Sequence, residues 1–190
     1  MIKTYVIDTN VLIQAPYAIE CFEENNLVLP LVVLEELDGL KKAEGEKGAN
    51  ARAAVRKLES YRQKGDLLQG VKLPGGGILR IEKNFVQVEL PQDIPDDKPD
   101  NRILKVCKGL AETEKEGQVI LVTKDIVLRL KAQILGIRAE DFERERISED
   151  DAQYTGRTEI YFPEEKVKEF KKKGIPLTDA YQSDEEGNRS

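Results

Sequence analysis

Apolar residues in this chain fall into short unbroken runs that alternate with longer stretches at helical spacing. Residues 3–8, KTYVID, and 118–125, QVILVTKD, are continuous enough to be strands buried on both faces, and NLVLP is a shorter third. NVLIQAPYAIECFE reads as helix, bent or restarted at Pro16. LVVLEELDGLKKA reads as a helix whose first turn suits Pro30, with Val33, Leu37 and Leu40 along one face. EGEKGAN reads as a break, and ARAAVRKLESYRQKG as a second, basic helix closed by Gly65. PGGG predicts a sharp loop before ILRIEKNFVQVEL, a strand pair or ribbon. PQDIPDDKP is too polar and proline-rich for regular structure; DNRILKVCKGLAETEKEG and IVLRLKAQILG are helices, and a short IRAEDF follows.

Strands alternating with helices predict an α/β domain, a parallel sheet with helices on both faces in Rossmann-type layers. The pattern weakens from about residue 145. It predicts a domain over 1–145, a small appendage or connector over 146–180 and a disordered tail at 181–190. Within the appendage RTEIYF suits a strand and EEKVKEFKKKG a short helix.

Composition narrows the chemistry. The sequence holds no histidine, which removes Ser/His/Asp and Cys/His catalysis, His-ligated zinc and imidazole acid-base chemistry. Carboxylates, lysine or a metal remain. Cys21 and Cys107, far apart in apolar helical stretches, read as small buried hydrophobes, not a disulfide frame or zinc knuckle, and fit a reducing cytoplasm. No basic leader with a long apolar stretch opens the chain, and no window approaches the roughly 20 apolar residues of a membrane span, so neither secretion nor insertion is predicted. The net charge of -6 argues mildly against a nucleic-acid partner, yet residues 41–64 carry eight lysines and arginines against three glutamates. That strip suits phosphate contacts and equally a solvated helix face.

Ligands of open α/β sheets bind beyond the carboxyl ends of the strands. Asp8 and Asp125 stand there for the two most apolar strands, and Asp100 opens the helix that precedes the second. On LVVLEELDGL, about 100° per residue leaves Glu36 at the border of the apolar face, Glu35 pointing away and Asp38 between them. Each aspartate also suits a helix N-cap, and Glu36 an ordinary surface charge. Caps alone explain less well four acids at one end of one sheet. Crowded carboxylates raise one another's pKa unless a cation neutralises them, and an oxygen-only set suits Mg²⁺ or Mn²⁺. Thr9 and Thr123 are placed to fix carboxylate rotamers, and Asn10 to hold its loop by an Asx-type bond; turn chemistry explains all three equally well.

In order, VIDTNVLI, LPLVVLEELDGLKK, GANARAAVRKLE, PDNRILKVC and VILVTKDIVLRLKAQILGIRAEDF resemble the PIN domain, a metal-dependent nuclease fold, over about residues 3 to 143. The resemblance is strongest to the amino-terminal PIN module of PhoH-like proteins, where an ATPase and RNA-helicase domain follows. It implies that Asp8, Glu36, Asp100 and Asp125 hold Mg²⁺ or Mn²⁺, with Thr9, Asn10 and Thr123 as supports, and that the module often dimerises. The activity it implies is endonucleolytic hydrolysis of RNA by metal-activated water, leaving a 5′-phosphate and a 3′-hydroxyl. Arg52, Arg56 and Arg102 are the expected phosphate guides. Few aromatics are available for stacking, so weak sequence preference and a single-stranded substrate are expected. The phosphate-cradling loop G-x-x-x-x-G-K-[ST] occurs nowhere, so the ATPase half is absent from this chain. Two rivals stand beside this reading. A phosphoacceptor domain needs an acidic pair before its first helix, where Asp8 stands alone; the other is a non-catalytic RNA-binding or docking module whose carboxylates only cap helices.

Overall fold

A computed structural model of the chain describes residues 2–114 and 117–143 and two short strands near the carboxyl end. Residues Met1–Asp141 make one compact unit. Its order is β1 (Thr4–Ile7), α1 (Thr9–Gln14), a 3-10 helix (Pro16–Glu20), β2 (Asn26–Pro30), α2 (Leu31–Leu40), α3 (Gly45–Arg62), β3 (Val71–Lys72), β4 (Ile78–Glu82), α4 (Pro99–Thr113), β5 (Val119–Val122), α5 (Ile126–Ile134) and β6 (Arg138–Glu140). The six strands form one sheet in the order β3-β4-β2-β1-β5-β6. Every pairing is parallel except β3 with β4.

The centre of the sheet is the most apolar part of the sequence, as burial on both faces demands. All four residues of β1 and of β5 are buried, and the strands pair in register from Thr4 with Val119 to Ile7 with Val122. Ile7, Leu27, Leu29 and Ile120 from the sheet meet Leu12, Leu37, Ile103, Leu104 and Leu110 from the helices, all fully buried. Cys21 and Cys107 are free thiols in this core, in line with their reading as hydrophobes. Among the described residues no helix is long and apolar enough to cross a membrane.

Three local expectations are corrected. The stretch EGEKGAN is no break: α3 begins at Gly45. Its Gly48 lies so close beneath the preceding turn that a Cβ would stand 1.8 Å from the Ala43 carbonyl oxygen. Glycine there marks a close approach, not a helix end. ILRIEKNFVQVEL is not a strand pair either. Only Ile78–Glu82 is a strand, and its antiparallel partner is Val71–Lys72, across the PGGG turn. The rest of that stretch and the polar loop after it are strapped to α4: the Lys108 ammonium donates to the Glu89 carbonyl, Lys105 pairs with Asp96 at 2.8 Å, and the Asn101 amide donates to the Pro95 carbonyl at 2.6 Å. Pro30 ends β2 and caps α2, one residue before the first turn.

Near the carboxyl end, where a disordered tail is expected, Asp184–Glu186 (β7) and Asn188–Arg189 (β8) pair antiparallel. The strand RTEIYF, the helix EEKVKEFKKKG and the rest of the connector over 146–180 lie outside the described residues.

Candidate active site

Four acids from four elements line one open cleft of about 440 Å³ at the carboxyl edge of the sheet: Asp8 after β1, Glu36 on α2, Asp100 at the start of α4 and Asp125 after β5. The geometry follows from the fold. A parallel sheet puts the ends of β1 and β5 side by side, and each strand hands its chain directly to a helix whose amino end is electropositive. A carboxylate at each junction is held by that field.

Both readings of Asp8 and Asp125 hold at once. Asp8 caps α1, accepting from the Thr9 amide at 2.7 Å. Asp125 caps α5, accepting from the Val127 and Leu128 amides at 2.9 and 3.4 Å. Asp100 is different: the cap of α4 is Lys98, and Asp100 lies inside the first turn. The orientation expected for α2 is also found. Glu36 is half-buried and enters the cleft, Glu35 is exposed, and Asp38 is exposed and paired with Lys41 at 2.8 Å.

The hydroxyls behave as rotamer locks. Thr123 donates to the second carboxylate oxygen of Asp8 at 2.6 Å. Its oxygen also accepts from the Asp125 amide at 3.1 Å and from the Asn10 side chain at 3.3 Å. Thr9 donates from its hydroxyl to Glu36, coupling α1 to α2. Asn10 does not make the local Asx bond expected of it. Its side-chain oxygen accepts from the Lys124 amide at 3.0 Å, so it ties the β1 end to the β5 end. An Asx turn is local; this bond crosses the sheet edge.

Electrostatics register the crowding. Burial pushes the Asp8 carboxyl up to about 6, partly opposed by the bonds from Thr123 and Thr9, with the charges of Asp100 and Glu36 adding to the rise. Glu36 is raised by burial and by Asp100, against the bond from Thr9. The Cys107 thiol, fully buried, is pushed up by burial and by the charge of Asp8, which keeps it protonated and out of nucleophilic chemistry.

The arginines are not gathered here. None of Arg52, Arg56 and Arg102 lines the cleft. Arg52 donates to the Lys41 carbonyl at 2.7 Å, satisfying the carboxyl end of α2, and Arg102 donates to the Asp96 carbonyl. Ile13, Gly39 and Leu40 complete the cleft wall. The signal for Gly39 was its place one helical turn beyond Glu36 on the same face. A Cβ on Gly39 would meet nothing within 4 Å, so the glycine leaves the cleft wide without being required by packing.

Among the described residues no three carboxylates or thiols are drawn tightly enough together to hold one metal ion. The donor set nevertheless fits a hard divalent cation in kind: all oxygen, anionic, and mutually repulsive in its absence.

The sequence matches the family model described as PIN domain over residues 5–143. It is 45% identical over 175 residues to Protein PhoH2 of Bacillus subtilis (strain 168), covering 90% of this chain and 40% of that protein. To Protein PhoH2 of Mycolicibacterium smegmatis it is 38% identical over 162 residues, covering 84% of this chain and 36% of that protein. The chain thus spans 40% or less of the length of these curated relatives. A domain of a functionally unknown protein from Methanocaldococcus jannaschii superposes with a TM-score of 0.48 at 21% identity, covering 74% of this chain and 91% of that one.

Proposed function

The chain belongs to the PIN domain family, a nuclease family, and on that premise we propose that it hydrolyses phosphodiester bonds within single-stranded RNA with the help of Mg²⁺ or Mn²⁺ bound in the acidic cleft. The observation that carries this reading is the convergence of Asp8, Glu36, Asp100 and Asp125 on one solvent-open cleft, where burial, with the charge of Asp100 adding to it, raises the proton affinity of Asp8 and Glu36. A divalent ion held there would lower the pKa of a water and offset charge on the reacting phosphoryl oxygens.

The chain's own residues supply alignment. Asp8 is the most constrained carboxylate, gripped at both oxygens by the Thr9 amide and the Thr123 hydroxyl. Such double support keeps a ligand oxygen in place through turnover. Thr9 performs the same office for Glu36. Asp100 is half-buried and Asp125 uses one oxygen for its helix cap, so holding an ion would require Asp100, Asp125 and Glu36 to turn toward Asp8. Arg56, exposed and without an ion-pair partner among the described residues, is the freest of the three arginines for phosphate contact at the periphery. Dimerisation finds support in α5, where Ile126, Val127, Leu130 and Ile134 are each more than half exposed along one helix.

Labelled single-stranded RNA incubated with Mn²⁺ or Mg²⁺, with and without EDTA, tests the reading. Cleavage that needs the metal and disappears in Asp125→Asn is expected. Equal residual cleavage by both proteins would assign the activity to a contaminant. The helix-capping bonds of Asp8 and Asp125 favour one alternative, a docking module with a degenerate site. Mn²⁺ titration calorimetry separates the two, because binding abolished by Asp8→Asn is expected only of the nuclease.

A further inference from the structure

Three of the four cleft acids are held by hydrogen bonds: Asp8 by the Thr9 amide and the Thr123 hydroxyl, Glu36 by the Thr9 hydroxyl, and Asp125 by two amides of α5. Asp100 is the exception. Among the described residues no donor reaches its carboxylate, and α4, which carries it in the first turn, starts at Lys98 without a capping side chain. The backbone of that turn alone sets where Asp100 stands in the cleft, so whatever anchors the turn also places the acid.

The next residue is such an anchor. Asn101 is 1% exposed. Its side-chain amide donates to the Pro95 carbonyl at 2.6 Å, and its side-chain oxygen accepts from the Lys131 ammonium at 3.0 Å. The two bonds run to different parts of the fold. Pro95 belongs to the loop that delivers the chain to α4, and Lys131 belongs to α5, the helix that Asp125 caps. Arg102 and Lys105 hold the same loop through the Asp96 carbonyl and carboxylate, but among the described residues neither reaches α5. Successive helical residues lie about 100° apart, so a side chain locked at Asn101 fixes the direction in which Asp100 leaves the helix.

We infer that Asn101 is a positioning residue for the acidic site: bonded to the Pro95 carbonyl and the Lys131 ammonium, it holds the first turn of α4 against α5 and so fixes the separation of Asp100 from Asp125. This rests on the nuclease reading and adds to it a support for the one acid that no hydrogen bond holds. Thr123 and Asn10 tie the strand ends of the site together; Asn101 ties its two helices. The bond from Lys131 is charge-assisted and therefore strong for its kind. Pro95 is exposed and Lys131 half-buried, so each can turn to water if the amide is removed. Loss of Asn101 then loosens the first turn of α4 without stranding a buried partner.

A double-mutant cycle with Asp100→Asn tests this on the full chain, with Mn²⁺ affinity read by calorimetry and, for the weaker variants, by the electron paramagnetic resonance signal of free Mn²⁺. Asn101→Leu should keep the wild-type circular dichroism spectrum and bind Mn²⁺ about 10–100-fold more weakly, the usual effect of losing a support behind a metal ligand. In the Asp100→Asn background the same change should alter the affinity by less than about twofold, because the residue it acts through is gone. Asn101→Ala, which removes both bonds and adds no bulk, is carried through the same cycle in case leucine does not fit. Wild-type affinity in the Asn101 variants would overturn the inference. So would an equal loss with and without the Asp100 carboxylate, the result expected of a residue needed only for the fold. Wild type that binds no Mn²⁺ overturns the nuclease reading and this inference together, whereas affinities that follow the cycle without any RNA cleavage sink the nuclease reading alone.

Discussion

Replacing Asp8 with asparagine should strengthen the metal-free domain at high pH and weaken it at low pH. The Asp8 carboxyl moves from an ordinary 3.8 in the unfolded chain to about 6 in the fold, with burial the largest cause. A pKa raised by folding favours the native state fully below 3.8, and that advantage is lost as the pH climbs through about 6. Above it the ionised group sits in the fold at a cost of about 3 kcal/mol relative to the unfolded chain. Asparagine does not titrate. It keeps the bond from the Thr9 amide, but its NH₂ meets a Thr123 oxygen that already accepts from Asn10 and from the Asp125 amide, which costs about 1 kcal/mol. Asp8→Asn should therefore be about 2 kcal/mol more stable than wild type at pH 8 and about 0.5 kcal/mol less stable at pH 4. Urea unfolding followed by far-ultraviolet circular dichroism in EDTA measures both. With Mn²⁺ at about 100 times its dissociation constant, wild type alone should gain about 2.7 kcal/mol and the order at pH 8 should reverse. A stability difference that stays flat from pH 4 to pH 8 would refute the account of Asp8 as a buried charge awaiting a cation.

Three further outcomes are expected. Gly39→Ala should stabilise the domain by about 0.5–1 kcal/mol in thermal unfolding, since the helix gains propensity and the added methyl meets nothing, whereas Gly39→Phe should fold normally and lose RNA cleavage by narrowing the cleft. Thr123→Val, which removes the donor to Asp8 and the acceptor for Asn10 and the Asp125 amide, should weaken Mn²⁺ binding about 10–100-fold by calorimetry, and unchanged affinity would count against the positioning role. The double variant Leu130→Glu, Ile134→Lys should leave the thermal midpoint within a few degrees of wild type and reduce any dimer seen by analytical ultracentrifugation; an unaltered dimer would place the interface elsewhere.

Much of this was readable from residue patterns because the pattern and the fold answer to the same constraint. Strands β1 and β5 are buried on both faces, so their apolar runs had to be unbroken, and the acids that end them had to lie at one edge. Helical spacing alone separated Glu36 from Glu35 and Asp38. What escaped depended on contacts distant in sequence. Gly48 looks like a breaker until the Ala43 carbonyl beneath it is known. Two-residue β3 carries no periodicity at all. The FVQVEL stretch alternates like a strand, yet lysine and asparagine donors from α4 satisfy the carbonyls around it. Asn10 could not be paired with Lys124 across 114 positions by any local rule, and Arg52 looked available for phosphate until α2 was seen to end against it.

The hydrogen bond from Thr123 to Asp8 joins residues 115 positions apart. During synthesis, Asp8 and Glu36 leave the ribosome long before the strand that brings Thr123 and Asp125 exists. Pairing at such separation forms late, after the loop-closure entropy of most of the domain has been met. An emerging or truncated chain accordingly holds only half a site.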